Sequence, residues 1–276
     1  MARYNEQNII FLHLPKNGGN TLHGILDILY SKENTFSIKV VDNTKLNISE
    51  FKELPEKERA KIKLLKGHMY FGLHKYLVGP SDYFTFLRKP EDRIVSFYHY
   101  AKSRPQHRLY NQIKDNNWSL KEFVANSIDE DVHNAQIRWI SGLKGASEQK
   151  MLDKAKKNID QHFSFVGLQE QFDISLIILS KLYGWGLPYY KYLNKGTHHN
   201  KKKSIDLETK KIITAKNYGD EQLYSYVEKL FLEYQTKIKG LSFQLKLLWL
   251  SNKLYSNPFG KIILQRVVNI NSSKDT

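Results

Sequence analysis

Short apolar runs alternate along the chain with longer stretches of helical periodicity. Runs of this kind are typical of strands that are buried on both faces. Strands are predicted over residues 9–14, 82–87 and 163–168, with shorter candidates at 36–41, at 189–193 and in the apolar run that residues 66–70 close. Buried strands that alternate with helices predict an α/β fold with a parallel sheet of about four to five strands flanked by helices.

The stretches between these runs have the apolar spacing of amphipathic helices. Helices are predicted from Thr21, from Pro55 to about residue 64, from Pro90, over 119–158 with starts at Ser119 and near Asp131, and over 172–185, 206–217 and 220–239. Proline is well suited to the first turn of a helix, because its missing N–H has no partner there in any case.

From Gly240 the composition changes to a basic, amphipathic segment that is too short and too often interrupted by lysine to span a membrane. We therefore divide the chain into an α/β domain over residues 1–240 and a helical C-terminal extension over 241–276. The favoured interpretation is a helix that docks back on the domain. Attachment to a membrane surface and a dimer contact are the alternatives.

Composition narrows the class of partner. The 276 residues carry a formal charge of +15, which indicates an anionic partner such as nucleic acid, a membrane surface, or acidic small molecules and glycans. The arginine-glycine and aromatic signatures of RNA-binding modules are absent, so nucleic acid is not expected. The chain has no cysteine, and eight residues precede the first predicted strand, which leaves no room for a signal peptide or anchor. The expected location is the cytoplasm.

The stretch from residue 9 to residue 29 predicts a strand, a tight basic loop and a helix in that order. Free N–H groups at a helix N-terminus form an anion site. Lys16 adds a positive charge, while Gly18 and Gly19 allow the backbone to approach a bound group. The common nucleotide-binding pattern GxxxxGK[ST] places its lysine after the glycines, whereas Lys16 precedes them. The prediction is a phosphate site unlike that of ATPases, and the alternative is an ordinary turn.

A second basic loop follows the strand predicted at 82–87. Arg88 offers a bidentate fork for a phosphate, and Ser96 lies about two helical turns further on. Because ligands of parallel sheets bind outside the carboxyl ends of the strands, the loops at Lys16 and Arg88 can contact one ligand from two sides. The alternative for Arg88 is a salt bridge with Glu91 or Asp92.

Three segments resemble signatures of the carbohydrate sulfotransferases, the family that includes heparan sulfate 2-O-sulfotransferase and related bacterial enzymes. PKNGGNTL at 15–22 resembles the family's PKTGGTTL-type loop, and TFLRKPEDRIVSFYHY at 85–100 resembles its arginine signature. FSFVGLQEQFDISLIIL at 163–179 is similar to its FVGLTERFDESL-type segment. The segments occur in the family's order, and the resemblance covers roughly residues 8–238.

The resemblance implies a P-loop-like fold and a sulfotransferase that uses 3′-phosphoadenosine 5′-phosphosulfate (PAPS). The acceptor would be a hydroxyl of a carbohydrate or glycoconjugate, possibly an anionic one. By motif position, the residues that would hold the 5′-phosphosulfate are Lys16, Asn17, Gly18, Gly19, Asn20 and Thr21. Arg88 and Ser96 would hold the 3′-phosphate. Threonine or serine is usual where this chain has Asn17 and Asn20.

Sulfuryl transfer needs a base for the proton of the acceptor hydroxyl and positive charge at the leaving phosphate. Lys16 is the candidate for the charge. His68 is the candidate base, because histidine titrates near neutrality and the family's catalytic histidine also lies upstream of the arginine signature. His74 and His99 are weaker candidates. This chemistry requires no metal, and none is expected.

Several interpretations stay open. The segment HNAQIRWISG at 133–142 is similar to an NxQxRxLxG segment of the same enzymes, but a spacing of two cannot direct its polar residues to one ligand from a regular helix. Arg138 is either an acceptor-site or a structural residue, and the basic loop at 196–204 either covers the nucleotide or is simply solvated. The alternative functions are a nucleotide-dependent phosphotransferase and a non-catalytic module that binds an anionic glycan or nucleic acid.

Overall fold

A five-stranded parallel sheet forms the centre of the molecule. The computed structural model describes residues 7–41, 45–186, 188–190 and 205–257. The strands of the sheet are β1 (Asn8–Leu12), β2 (Thr35–Ile38), β5 (Leu64–Gly67), β6 (Ser81–Leu87) and β7 (Phe163–Leu168), and β3 (Val40–Val41) and β4 (Lys45–Leu46) form a separate antiparallel pair. The sheet order is β2-β5-β1-β6-β7, and every neighbouring pair is parallel. The predicted α/β fold is confirmed.

Helices surround this sheet. They are α1 (Gly19–Leu29), α2 (Ile48–Glu53), α3 (Glu56–Arg59), α4 (Pro90–Lys102), α5 (Tyr110–Asp115), α6 (Leu120–Asn126), α7 (Ala135–Ser141), α8 (Glu148–His162), α9 (Phe172–Tyr183), α10 (Leu207–Lys216), α11 (Tyr218–Thr236) and α12 (Leu241–Tyr255). Local signals explain several of the starts. Pro90 is the first residue of α4, Ser119 forms a capping box with Glu122 at α6, and Asp206 caps α10.

The core follows from the apolar runs. All five residues of β1 are buried, and the Phe11 ring stacks on Phe84 of β6 with centroids 4.9 Å apart. The main hydrophobic cluster joins the sheet to α1, α7, α8, α9 and α11, and a smaller cluster lies among α4, α5, α6 and α10. Burial of these side chains is the dominant favourable contribution to folding.

The predicted helix from Pro55 to residue 64 is wrong in its second half. The helix α3 ends at Arg59, and Leu64 and Leu65 belong to β5, where both are fully buried. Residues 61–64 alternate between exposed and buried, which is the period of a strand. Pairing with β1 on one side and β2 on the other outweighs the helical propensity of this lysine-rich stretch.

The predicted helical region 119–158 is interrupted twice. The helix predicted near Asp131 begins at Ala135, after Asn134 in the left-handed region, and it ends at Gly142 with φ 72°. A side chain at Gly142 would place its Cβ 2.6 Å from the Phe71 carbonyl oxygen, so close approach as well as the positive φ requires glycine there.

The remaining predictions near the C-terminus have mixed outcomes. Tyr189 and Tyr190 are not in a strand, and the rest of the strand predicted at 189–193 lies outside the described residues, as does the basic loop at 196–204. The helix α12 packs against α9 through buried Leu248, and the Asn252 Oδ1 accepts a hydrogen bond from the Tyr190 N–H at 2.8 Å. Residues 258–276 of the predicted extension also lie outside the described residues. None of the helices that the structure describes combines the length and apolar character needed to cross a membrane.

Candidate active site

The loops that follow three adjacent strands meet at one edge of the sheet. β1 lies in the centre and pairs with β5 on one side and β6 on the other. Lys16, His68 and Arg88 follow these three strands, and all three strands run in the same direction. This edge of a parallel sheet is where ligands bind. The sheet order therefore brings together the three side chains to which the sequence assigned the chemistry.

The loop after β1 presents backbone donors. Lys16 and Gly18 both have positive φ, at 72° and 81°. Helix α1 begins directly after Gly18 with no side chain capping it and no acidic residue in its first turn. Its N–H groups and the positive end of its dipole are therefore available to an anion. Asn20 is exposed and Thr21 is half-buried, so both can reach such a group.

The Asn17 side chain links this loop to the rest of the protein. It is buried, and its Nδ2 donates to the Phe86 carbonyl at 2.7 Å and to the Gln136 Oε1 at 2.9 Å. Both amide hydrogens are thus used within the protein. The side chain holds the loop against the end of β6, and the Asn17 backbone N–H donates to the Leu14 carbonyl at 3.4 Å.

Gln136 is the residue that joins the two basic loops. Its Oε1 accepts from the Asn17 Nδ2 and from the Arg88 N–H at 3.0 Å, and its Nε2 donates to the Arg88 carbonyl at 3.0 Å. The Asp220 carboxylate of α11 accepts from the N–H groups of Gln136 and Ile137, at 3.1 and 2.8 Å. The sequence assigned Gln136 no role. Its only signal was the NxQxRxLxG pattern, which does not show its partners.

Arg88 contacts the first loop directly. Its Nη1 donates to the Lys16 carbonyl at 3.1 Å, which stabilises the left-handed backbone at Lys16. Glu91, one of the two salt-bridge partners considered for Arg88, pairs with Lys210 at 3.0 Å. The Arg88 Nε is buried without a hydrogen-bond partner among the described residues. Burial lowers the pKa of Arg88, partly offset by the Asp92 and Glu170 carboxylates. Ser96 is half-buried on α4.

Positive charge is concentrated around Lys16. Its Nζ lies 3.8 Å from the centroid of the Tyr100 ring, and the Arg104 guanidinium carbon lies 4.4 Å from the same centroid. Burial, together with repulsion from Arg88 and Arg104, lowers the pKa of Lys16 to about 8. The lowered pKa means that the charged form of Lys16 is unfavourable in the free protein. An anion bound beside Lys16 would stabilise that charged form.

The surroundings of His68 fix its tautomer and its charge. Its Nδ1 lies 2.9 Å from the His13 carbonyl oxygen, and because a carbonyl only accepts, Nδ1 carries the proton and Nε2 keeps its lone pair. The His68 ring stacks on the His13 ring at 4.3 Å and meets the Trp139 ring edge-on at 6.0 Å. Burial lowers the pKa of His68 below its usual 6.5. The imidazole is therefore neutral at pH 7 and able to accept a proton.

The His13 side chain lies between His68 and the start of helix α1. A Cβ at Gly19 would lie 1.8 Å from the His13 Nε2, so the absence of a side chain at Gly19 is what allows the ring to fit. The His13 Nδ1 lies 3.0 Å from the His23 Nε2, and burial holds the pKa of both histidines well below 6.5. His13 is thus a packing residue between α1 and His68.

The two weaker base candidates lie in different surroundings. The His74 Nδ1 is hydrogen-bonded to the Tyr83 hydroxyl at 3.0 Å, and burial lowers the pKa of His74. His99 is exposed near the end of α4. His74 lies beyond the end of β5 in a short helical turn and His99 lies near the end of α4, whereas His68 directly follows β5.

The third sequence signature, which includes the segment after β7, contacts both basic loops. The Glu170 Oε1 accepts from the Lys89 N–H at 2.8 Å, and its Oε2 accepts from the Tyr224 hydroxyl at 3.0 Å. Gln169 lies against Gly18, where its Cγ would be 3.2 Å from an added Cβ. The segment after β7 therefore positions the first two signatures. Arg138 donates to the Glu130 carbonyl, which favours a structural role for it.

The fold and the site define the class of protein: an α/β protein with cationic loops and a neutral histidine at the carboxyl ends of its central strands. The family model described as "Sulfotransferase family" matches residues 2–227. The chain therefore belongs to the sulfotransferase family.

Among solved structures, the chain is similar to mouse sulfotransferase SULT7A1 complexed with PAP. The two are 14% identical with a TM-score of 0.37, and the match covers 79% of this chain and 66% of the mouse chain. No curated protein matches the sequence.

Proposed function

We propose that this protein transfers the sulfuryl group of PAPS to a hydroxyl of a carbohydrate or glycoconjugate, with His68 as the base. The observation that carries the proposal is the placement of His68 beside the two basic loops, with its Nδ1 proton committed to the His13 carbonyl at 2.9 Å. Family membership supports the reaction type. A nucleotide with two phosphorylated positions needs two anion sites, and the sheet edge offers two.

The residues fit such a nucleotide. Burial and the neighbouring Arg88 and Arg104 lower the pKa of Lys16 to about 8, the first turn of α1 has no side-chain cap, and the Arg88 Nε is buried without a partner among the described residues. The residues that would hold the 5′-phosphosulfate are Lys16, Asn17, Gly18, Gly19, Asn20 and Thr21. Arg88 and Ser96 would hold the 3′-phosphate. When bound, the nucleotide supplies the sulfuryl group for in-line displacement.

Each side chain then has one task. The His68 Nε2 accepts the proton of the acceptor hydroxyl, while the His13 carbonyl and the Trp139 ring keep the imidazole oriented. Lys16 stabilises the negative charge that develops on the leaving phosphate. Arg104, exposed beside Lys16, favours an acceptor that is itself anionic. The proposal includes no metal cofactor and no nucleic-acid partner, and it locates the protein in the cytoplasm.

The base assignment is tested with His68→Ala. Turnover should fall by roughly 10²- to 10⁴-fold while the affinity for 3′-phosphoadenosine 5′-phosphate, measured by calorimetry, stays within about twofold. His99→Ala, an exposed histidine of α4, is the matched control and should leave both unchanged. Unchanged turnover in His68→Ala would remove it as the base.

The reaction class is tested separately. Calorimetry should show binding of 3′-phosphoadenosine 5′-phosphate without added magnesium, and weaker binding of ATP. Tighter binding of ATP with Mg²⁺ would favour a phosphotransferase. Nucleotide binding that Lys16→Ala leaves intact would favour a non-catalytic module. Labelled sulfate donor, offered with sugars, anionic glycans and glycolipids in parallel, then identifies the acceptor.

A further inference from the structure

Helix α12 has apolar side chains on two opposite faces. One face packs on the domain through buried Leu248 and Asn252. The other face carries four exposed side chains, which together we call the outer stripe: Phe243 (65% exposed), Leu247 (36%), Leu250 (47%) and Leu254 (52%). Their spacing of four, three and four residues places them in one line along the helix. The outer stripe is therefore a continuous apolar surface that faces away from the domain.

The residues beside the outer stripe are those of an interfacial helix. Lys246 and Lys253 are exposed on its flank, and Trp249, 58% exposed, lies beyond them with the Lys253 Nζ 5.2 Å from its ring. α12 itself contains no acidic residue. Lysine and tryptophan beside a row of leucine and phenylalanine are typical of helices that lie in the plane of a membrane surface.

The charge near the outer stripe favours an anionic membrane over a second copy of this chain as its partner. From residue 234 to the C-terminus the chain carries seven basic residues, at 237, 239, 246, 253, 261, 266 and 274, and one acidic residue, Asp275. A second copy of this chain docked on the outer stripe would place Lys246 and Lys253 of the two copies near one another, which opposes association. A surface of anionic lipid complements them instead.

We propose that α12 docks the protein on an anionic membrane, with the outer stripe inserted among the lipids and Lys246 and Lys253 at the headgroups. This inference does not depend on the proposed function, since no residue of the sheet edge takes part in it. Binding should weaken with added salt, because the lysine contribution is screened, and the stripe contribution should remain.

The test uses the full chain with two kinds of vesicle, phosphatidylcholine alone and phosphatidylcholine mixed with phosphatidylglycerol. Wild-type protein should sediment with the mixed vesicles, and the combined emission of its four tryptophans should shift to the blue because Trp249 enters the lipid. Leu250→Gln combined with Leu254→Gln should weaken binding by about 100-fold, because each leucine contributes roughly tenfold on insertion. Trp249→Phe should retain most of the binding but lose the blue shift.

The matched control is Ile128→Gln, which removes an apolar side chain that is 91% exposed elsewhere on the surface. It should bind like the wild type. The proposal is overturned if the wild type does not bind the mixed vesicles, or if the double leucine variant binds as well as the wild type. It is also overturned if light scattering shows a dimer that the double variant separates, because the stripe would then be a contact between copies.

Discussion

Two neighbouring regions of the molecule differ in how far their polar groups are neutralised or hydrogen-bonded. At the sheet edge, Lys16 and Arg88 concentrate positive charge, and the Arg88 Nε has no partner among the described residues. Where α7 meets α11, Asp220 and Gln136 are more deeply buried than these two cations, yet each accepts two hydrogen bonds. Buried polar groups are normally paired, so the unneutralised region supports the proposed ligand site. The satisfied region indicates what holds the loops in place.

The difference separates binding from positioning. Substitutions at the sheet edge should change turnover and nucleotide affinity with little effect on stability. Substitutions in the satisfied network should lower stability first and affect the ligand only because the loops move. The following experiments test this separation, beginning with the largest expected effect.

Lys16→Met should reduce turnover by about 10²- to 10³-fold, because the positive charge at the leaving phosphate is removed while the apolar stem is kept. The free energy of unfolding should change by no more than about 1 kcal/mol, since the lost contact with the Tyr100 ring is offset by relief of repulsion from Arg88 and Arg104. Steady-state kinetics and urea unfolding measure the two quantities. A large loss of stability with normal turnover would show that Lys16 stabilises the fold and does not take part in the reaction.

Gln136→Leu should destabilise the protein by about 2 to 3 kcal/mol, because it leaves the Asn17 Nδ2 and the Arg88 N–H buried without this acceptor. Nucleotide affinity should fall as well, since both loops lose the group that joins them. Gln136→Glu keeps the acceptor but cannot donate to the Arg88 carbonyl while ionised, so its stability should be intermediate. Equal stability of wild type and Gln136→Leu in urea would show that the loops do not need this link.

Gly19→Ala should destabilise by about 1 to 3 kcal/mol, because its Cβ would lie 1.8 Å from the His13 Nε2 and would push that ring against His68. Turnover should fall with stability. Gly24→Ala in the same helix is the control, since nothing lies within 4 Å of its Cβ, and it should stabilise by about 0.5 to 1 kcal/mol. Thermal unfolding of the pair measures the difference, and equal effects would contradict the close packing at His13.

The pH dependence should be the mildest effect. Below the lowered pKa of His68, protonation removes the base, so kcat/KM should fall with decreasing pH from a point below 6.5. Above about pH 8, Lys16 of the nucleotide-free protein loses its proton. Because only the charged form attracts the nucleotide, the affinity for the nucleotide should fall by up to about tenfold per pH unit. Calorimetry in buffers of different ionisation enthalpy should show proton uptake on binding near pH 8. In Lys16→Met this uptake should disappear.

Some of this architecture is local and could be predicted from the sequence. The five buried residues of β1, Pro90 at the start of α4 and Ser119 before α6 are patterns that involve near neighbours in the chain. The order of strand, loop and helix around Lys16 and Arg88 is also local. For this reason the candidate ligand loops and the α/β class could be predicted before any contact between distant residues was known.

What only the tertiary structure decided depends on distant residues. Leu64 and Leu65 have the local sequence of a helix, and neighbouring strands made them β5. Gln136 binds Asn17 across 119 positions and Arg88 across 48, so no local pattern reveals it. The sequence of α12 has apolar residues on two faces, and packing on α9 decided which of them is the outer stripe. His68 follows the same rule, since it acquires its tautomer from the carbonyl of His13, 55 positions away.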